Sequence, residues 1–205
     1  MTEDKKTTMQ IKPEQHQIEA FNSDIFAKDL ASNFKSLIDS QSFDIKVAVD
    51  IGGGHGHFAK EIHETTGFLM RVIDSDEKAV QACKGYKIEN FEAEIGDALN
   101  PNIRGDEDVI CFNLILHHLI GKNEFKTREF QKKALSAWHQ EAEFVFVNEY
   151  IYNSFVGNVS GRLIFEITKS KILSFIGSIV SKVIPSLRAN TFGVGVRFRA
   201  HDEWI

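Results

Sequence analysis

Short apolar runs alternate with stretches of helical periodicity through the middle of the chain. Five segments combine strand length with valine, isoleucine and phenylalanine, and polar or glycine residues bound them. Between these segments, apolar residues recur three or four positions apart, which is typical of amphipathic helices. The predicted strands are residues 46–51, 68–74, 91–95, 108–116 and 143–151, and the predicted helices between them are residues 57–66, a helix through Val80, and residues 125–142.

This alternation predicts an α/β fold with a Rossmann-like, mostly parallel sheet and helices on both faces. Ligands on such sheets bind at the carboxyl ends of the strands. Each predicted strand has a polar residue at or just past that end, so these side chains are expected to converge on one rim. They are Asp50, Asp74, Asp97, Asn113 and Glu149.

The two ends of the chain depart from this pattern. Residues 1–13 are polar and expected to be flexible, while residues 14–45 have helical spacing and predict an N-terminal helical cap. Residues 153–200 are apolar and basic and predict a lid or substrate segment. Their cleanest apolar run, 172–184, is shorter than the ~20 residues that span a bilayer, which leaves a lid helix or an interfacial helix. Asp202 is predicted to be a helix N-cap.

Composition excludes several classes of protein. The chain is 42% hydrophobic with a net charge of −5, which favours a globular domain over residues 14–205 and argues against a dedicated nucleic-acid binder. Its two cysteines, Cys83 and Cys111, form neither a disulfide framework nor a metal-ligand set, so no metal is expected. A reducing compartment and the lack of an apolar N-terminal signal indicate a cytoplasmic protein.

A glycine-rich loop follows the first predicted strand and exceeds what a tight turn requires. It contains Gly52, Gly53, Gly54 and Gly56, so its backbone can press against a ligand. Residues 54–59 satisfy the dinucleotide pattern G-x-G-x-x-A, which keeps a nicotinamide-dependent oxidoreductase open. However, a carboxylate at the entrance of the loop disfavours a pyrophosphate and suits a ligand that carries an ammonium group.

With Asp50 included, the stretch VAVDIGGGHGHFAKEI reads D-x-G-x-G-x-G and resembles the cofactor loop of class I S-adenosylmethionine-dependent methyltransferases. The resemblance continues through VIDSDEKAV, EIGDAL and DVICFNLILHHLIG, and so covers residues 47–121. It implies that S-adenosylmethionine is the cofactor, with Asp74 on the ribose, Asp97 and Ala98 at the adenine, and Asn113 on the methionine side. The full set of implied cofactor residues is Asp50, Gly52, Gly54, Gly56, Asp74, Asp97, Ala98 and Asn113.

The resemblance further implies methyl transfer to a small acceptor, and the apolar residues of the lid segment favour a hydrophobic one. His117 and His118 are the candidate general bases, because the pKa of histidine lies near neutrality. The alternative is that this stretch is a loop turn typical of the family, with one ring packed and the other in contact with substrate or cofactor. A methyltransferase-like binding protein without activity also remains open.

Three expectations concern partners. The basic and apolar residues of 159–188 allow peripheral membrane contact, or they form the polar face of a lid helix. No nucleic-acid partner is expected. The family's sheet normally continues into an antiparallel hairpin that is not identifiable here, so the fifth strand would be an exposed edge. Truncation at Ile205, a covering partner such as a second copy of the chain, or pairing by GVGVRFR would each resolve this.

Overall fold

The computed structural model describes residues 27–41, 44–152, 159–173, 175–176, 179 and 195–204. The flexible segment expected at 1–13 and the first part of the helical cap lie outside the described residues. The elements are helix α1 (Ala27–Asp39), strand β1 (Val47–Ile51), helix α2 (His57–Thr66), strand β2 (Leu69–Asp74), helix α3 (Glu77–Gly85), strand β3 (Phe91–Ile95), strand β4 (Val109–Asn113), a 3₁₀ turn (Leu116–His118), helix α4 (Glu124–Ser136), strand β5 (Phe144–Asn148), helix α5 (Val159–Lys169) and helix α6 (His201–Trp204).

The five strands form one sheet in the order β3-β2-β1-β4-β5, and all four strand pairs are parallel. This confirms the predicted α/β, Rossmann-like architecture. The chain builds outward from β1 in one direction through β2 and β3, and then in the other direction through β4 and β5. The switch point of the sheet therefore lies at the carboxyl ends of β1 and β4, which is where such sheets bind ligands.

The chain divides into two compact units. The first comprises Phe21–Ile115 and Lys133–Asn148 and contains the whole sheet. Helix α1 packs in this unit through Phe34, whose ring meets Phe58 of α2 edge-on at 6.3 Å and Phe146 of β5 at 5.2 Å. Phe34 is fully buried, as are Ala48 and Cys111 of the central strands. This packing fixes the strand ends that carry the polar residues.

The described part of the second unit comprises residues within Leu116–Lys132 and Glu149–Ile205. Its buried apolar residues include Leu119, Ile120 and Phe165. It also buries two arginines, Arg197 and Arg199, at 0% and 1% exposure. Among the described residues of the chain, no helix has the length and apolar character needed to cross a bilayer.

Two of the predicted strands and one predicted helix are too long. Strand β4 ends at Asn113 because Leu114 has a φ of +55°, which an extended strand does not accommodate. Strand β5 ends at Asn148, and helix α4 ends at Ser136. Phe125, near the start of α4, is 74% exposed although it is apolar. The helix instead buries Thr127, Phe130, Gln131 and Ala134, and Trp138 just beyond it.

The expectation for Asp202 is wrong. Helix α6 begins one residue earlier, at His201, and the Glu203 carboxylate accepts a hydrogen bond from the Ala200 amide at 3.3 Å, which satisfies that end of the helix. Of the stretch GVGVRFR, the structure describes residues 195–199. Within them Arg199 forms an isolated parallel bridge with Ile151, three residues past the end of β5, and the Tyr152 amide donates to the Arg199 carbonyl at 2.9 Å.

Candidate functional site

The glycine loop connects β1 to α2 in the first unit, and a side chain at Gly52, Gly53 or Gly56 would collide with its neighbours. Gly52 has a φ of +67°, and a Cβ there would lie 2.5 Å from Cγ1 of Ile115. Gly53 has an ordinary φ, but a Cβ would lie 2.4 Å from Oδ2 of Asp50. The other two glycines, Gly54 and Gly56, also have positive φ values of 55° and 73°. The loop is therefore a bare backbone surface at the switch point of the sheet.

Asp50 lies directly beneath this loop in the central strand and is 1% exposed. Within the described part of the chain, neither carboxylate oxygen accepts a hydrogen bond. Burial, together with the negative charge of Asp74, raises the pKa of Asp50 to about 8. A buried carboxyl without partners is costly to ionise. A ligand that brings a positive charge or a hydrogen-bond donor to Asp50 would remove this cost.

Asp74 ends β2 and holds the glycine loop through its side chain. Its Oδ2 accepts from the Gly54 amide at 2.8 Å, and its Oδ1 accepts from the Asp76 amide at 2.8 Å. Asp76 caps helix α3 by accepting from the Lys78 amide at 3.2 Å. Asp74 is only partly buried, so its carboxylate can accept further donors from a ligand.

The remaining predicted cofactor residues also lie at strand ends of the first unit. Asp97, two residues past β3, accepts from the Leu99 amide at 2.9 Å, and Ala98 is half-buried in the same turn. Asn113 ends β4, and its Oδ1 accepts from Nδ2 of Asn148 at 2.7 Å. Sequence reasoning missed Asn148, although its place at the end of β5, in register with Asn113, is the signal that could have identified it.

A histidine–carboxylate pair lies in the second unit. His117 Nδ1 is 2.6 Å from Oε2 of Glu149, and the other oxygen of Glu149 accepts from the Leu116 amide at 2.6 Å. Both side chains are buried, at 5% and 2% exposure. A carboxylate oxygen accepts, so Nδ1 carries a proton, and in the neutral form of the ring Nε2 presents a lone pair. Within the described residues, Nε2 has no hydrogen-bond partner.

Aromatic rings of the second unit surround His117. Its ring centroid lies 5.2 Å from that of Phe198 and 5.8 Å from that of Tyr150, which is 53% exposed. The ring of His118 is 4.1 Å away. Burial, and then the proximity of His117, lowers the pKa of His118 to about 3. A ring of that basicity is a poor proton acceptor near neutral pH, so the two histidines are not equivalent.

Two basic residues near the C-terminus, Arg197 and Arg199, do not lie on a lid helix. Arg197 and Arg199 are buried outside α5 and bind the carboxylate of Glu124 at 2.8 and 2.6 Å. Arg197 also binds Glu203 at 2.9 Å, so its charge is already compensated. Lys169 pairs with Glu166 at 3.0 Å, whereas Arg162 and Lys171 are exposed. The other two basic residues of this prediction, Lys182 and Arg188, lie outside the described residues.

No cluster of three or more histidine, cysteine, aspartate or glutamate side chains that could hold a metal occurs in the described ranges of the chain. A bare loop, a buried carboxyl and acceptors at successive strand ends suit a ligand that combines a cationic group with hydroxyls.

No protein-family profile matches the chain, and no curated protein matches it. Solved structures do. The sugar N-methyltransferase KedS8 from Streptoalloteichus is 9% identical with a TM-score of 0.57, over 71% of this chain and 58% of its own. CalS10, an S-adenosylmethionine-bound amino pentose methyltransferase from Micromonospora echinaspora, is 13% identical with a TM-score of 0.54, over 72% of this chain and 61% of its own.

The mitomycin 7-O-methyltransferase MmcR is 16% identical with a TM-score of 0.55, over 89% of this chain and 45% of its own. The chain thus spans between 45% and 61% of the length of these three structures. At such low identity the likeness concerns architecture, and it agrees with the resemblance in the glycine loop. The chain has the fold of the class I S-adenosylmethionine-dependent methyltransferases.

Proposed function

We propose that this chain binds S-adenosylmethionine at the glycine loop and transfers its methyl group to a small, apolar acceptor that carries a hydroxyl group. The observation that carries the proposal is Asp50, a carboxyl that is buried beneath a bare backbone and has no partner among the described residues. S-adenosylmethionine has an ammonium and a sulfonium and no phosphate. The pyrophosphate of a nicotinamide dinucleotide would instead add negative charge beside Asp50 and Asp74.

The residues at the strand ends fit the parts of this cofactor. Asp50 would attract the ammonium group, and the bare loop would contact the methionine portion. Asp74 would accept from the ribose hydroxyls, while Asp97 and Ala98 would meet the adenine. The full proposed set is Asp50, Gly52, Gly54, Gly56, Asp74, Asp97, Ala98 and Asn113, to which the structure adds Gly53 as a position that tolerates no side chain.

When bound, S-adenosylmethionine supplies an electrophilic methyl group on a positively charged sulfur. The proposed task of His117 is to accept the proton of the acceptor hydroxyl at Nε2. Glu149 would hold the Nδ1 proton and stabilise the imidazolium that results. General-base assistance of this kind contributes about 10²–10⁴-fold to the rate. The low pKa of His118 argues against the same role for that ring.

The nature of the acceptor rests on two arguments. The solved structures with the same fold include methyltransferases of a sugar, an amino pentose and mitomycin, all of which are small molecules. In the second unit, the exposed ring of Tyr150 and the half-buried ring of Phe198 lie next to His117 and would favour an acceptor with an apolar face. The net charge of −5 argues against a nucleic acid.

Calorimetric titration with S-adenosylhomocysteine, with NAD as the competing ligand, tests the proposal. We expect S-adenosylhomocysteine alone to bind, and Gly53→Ala to abolish binding because its Cβ would collide with Asp50. Gly85→Ala is the matched control, since a Cβ there meets nothing within 4 Å. Binding of NAD instead would favour an oxidoreductase. Binding of S-adenosylhomocysteine without turnover on a panel of hydroxylated acceptors would favour a protein that binds the nucleotide without catalysis.

A further inference from the structure

Asp50 combines three properties that belong to a group whose charge depends on whether the site is filled. It lies inside the central strand, with Val72 and Cys111 as its partners in the neighbouring strands. It is 1% exposed, and both of its oxygens lack a described hydrogen-bond partner. Ionisation in this setting requires a countercharge, and within the described residues no lysine, arginine or histidine forms an ion pair with it.

We propose that Asp50 carries a proton in the ligand-free protein and that entry of an amine-bearing ligand releases one proton to solvent. This inference rests on the proposed function, since S-adenosylmethionine and S-adenosylhomocysteine both present an α-amino group. It concerns the way in which the site recognises that group. The neutral carboxyl of Asp50 would become a carboxylate paired with the ammonium group as the ligand enters.

The titratable groups coupled to Asp50 are Asp74, Cys83 and Cys111. Asp74 from β2 adds negative charge and helps to raise the pKa of Asp50 to about 8. Cys83 from α3 and Cys111 from β4 are the other titratable groups nearby. Burial, followed by the charges of Asp50 and Asp74, raises the pKa of Cys83 to about 12, and burial with Asp50 raises that of Cys111. Both thiols therefore remain neutral near pH 7.

The proton balance is simple. The O–H bond of the Asp50 carboxyl breaks, the proton leaves to buffer, and the carboxylate pairs with the ammonium group of the ligand. Below pH 8, the affinity should therefore rise about tenfold for each unit of pH as long as one proton is released.

The experiment is calorimetric titration of the whole chain with S-adenosylhomocysteine at pH 6.5, repeated in buffers with different enthalpies of ionisation. The slope of the observed enthalpy against the ionisation enthalpy counts the protons. We expect a release of about one proton, because a carboxyl with a pKa of about 8 is almost fully protonated at pH 6.5. Adenosine, which lacks the α-amino group, should bind more weakly and release no proton.

Two variants separate Asp50 from the other acids. Asp50→Asn should bind S-adenosylhomocysteine more weakly and release no proton. Asp97→Asn, a change at a partly exposed carboxylate of the same unit, should lower affinity and leave the release near one. Tight binding of S-adenosylhomocysteine without proton release would overturn the inference and leave the proposed function standing. An equal release on binding adenosine would also overturn it, whereas absence of any binding would count against the proposed function itself.

Discussion

Replacement of Asp50 by asparagine should stabilise the ligand-free protein, and the gain should grow with pH. The pKa of Asp50 is raised from 3.8 in the unfolded chain to about 8 in the fold, chiefly by burial. Between these values the folded state keeps a proton that the unfolded chain releases. The stabilisation linked to this proton is therefore complete below pH 4 and is lost as the pH rises through 8.

The magnitude follows from the size of the shift. Each pKa unit corresponds to ~1.36 kcal/mol, so the loss reaches about 4 kcal/mol at pH 7 and about 6 kcal/mol above pH 8. Asparagine has nearly the same shape and cannot ionise. Its buried amide carries a constant cost that does not depend on pH. The difference in unfolding free energy between Asp50→Asn and the parent chain should therefore increase by about 1.4 kcal/mol per pH unit.

Urea denaturation of the ligand-free chain at pH 5, 6, 7 and 8 measures this slope. Asp97→Asn is the control, because Asp97 is partly exposed and its carboxylate already accepts from the Leu99 amide. Its stability should run parallel to that of the parent chain. If the curves for Asp50→Asn and the parent chain were also parallel, Asp50 would be ionised with an unrecognised partner, and the reasoning on its charge would be refuted.

Three further changes have defined outcomes. Glu149→Gln should lower kcat about 10²–10³-fold with little change in KM. The double variant with His117→Ala should lose no more kcat than His117→Ala alone. Additive losses of kcat in steady-state kinetics would show that the two residues do not act as a unit. Glu124→Gln should cost about 3–5 kcal/mol in urea, because it leaves two buried arginines short of a carboxylate, and a loss under 1 kcal/mol would contradict the network. Asp76→Ala should cost about 1 kcal/mol by the same assay if its cap on α3 matters.

Local signals were sufficient to predict several elements. Strand β3 and helix α2 have the bounds expected from FEAEI and HFAKEIHETT, because alternation and helical spacing are complete within each segment. The glycine loop could also be identified from the sequence, because four glycines between a strand and a helix exceed what a tight turn requires. In these regions, the residues that the local sequence pattern favours are the same residues that tertiary packing requires.

Other features depend on contacts that a linear pattern does not contain. The apolar run 108–116 gives no sign that the backbone turns at Leu114, where φ is +55°. Glu149 follows His117 by 32 positions, and only the fold reveals that they share a hydrogen bond. Arginine is seldom fully buried, so nothing in the sequence indicates that Arg197 and Arg199 lie inside the fold, yet Glu124 and Glu203 make their burial possible.

Among the described residues of the first unit, two buried acids, Glu107 and Asp50, have pKa values that shift in opposite directions. Glu107 accepts from the side chain of Arg71 and from the amides of Arg104 and Gly105. Burial alone would raise the pKa of Glu107, but these hydrogen bonds outweigh it and lower the pKa. Asp50 has no such support, and its pKa rises. A fold that can satisfy one buried carboxylate with three donors could have satisfied the other or replaced it with an apolar residue. Asp50 has no described partner and lies beneath the glycine loop, whose backbone is bare. A cationic ligand bound there would supply the positive charge that the described residues do not.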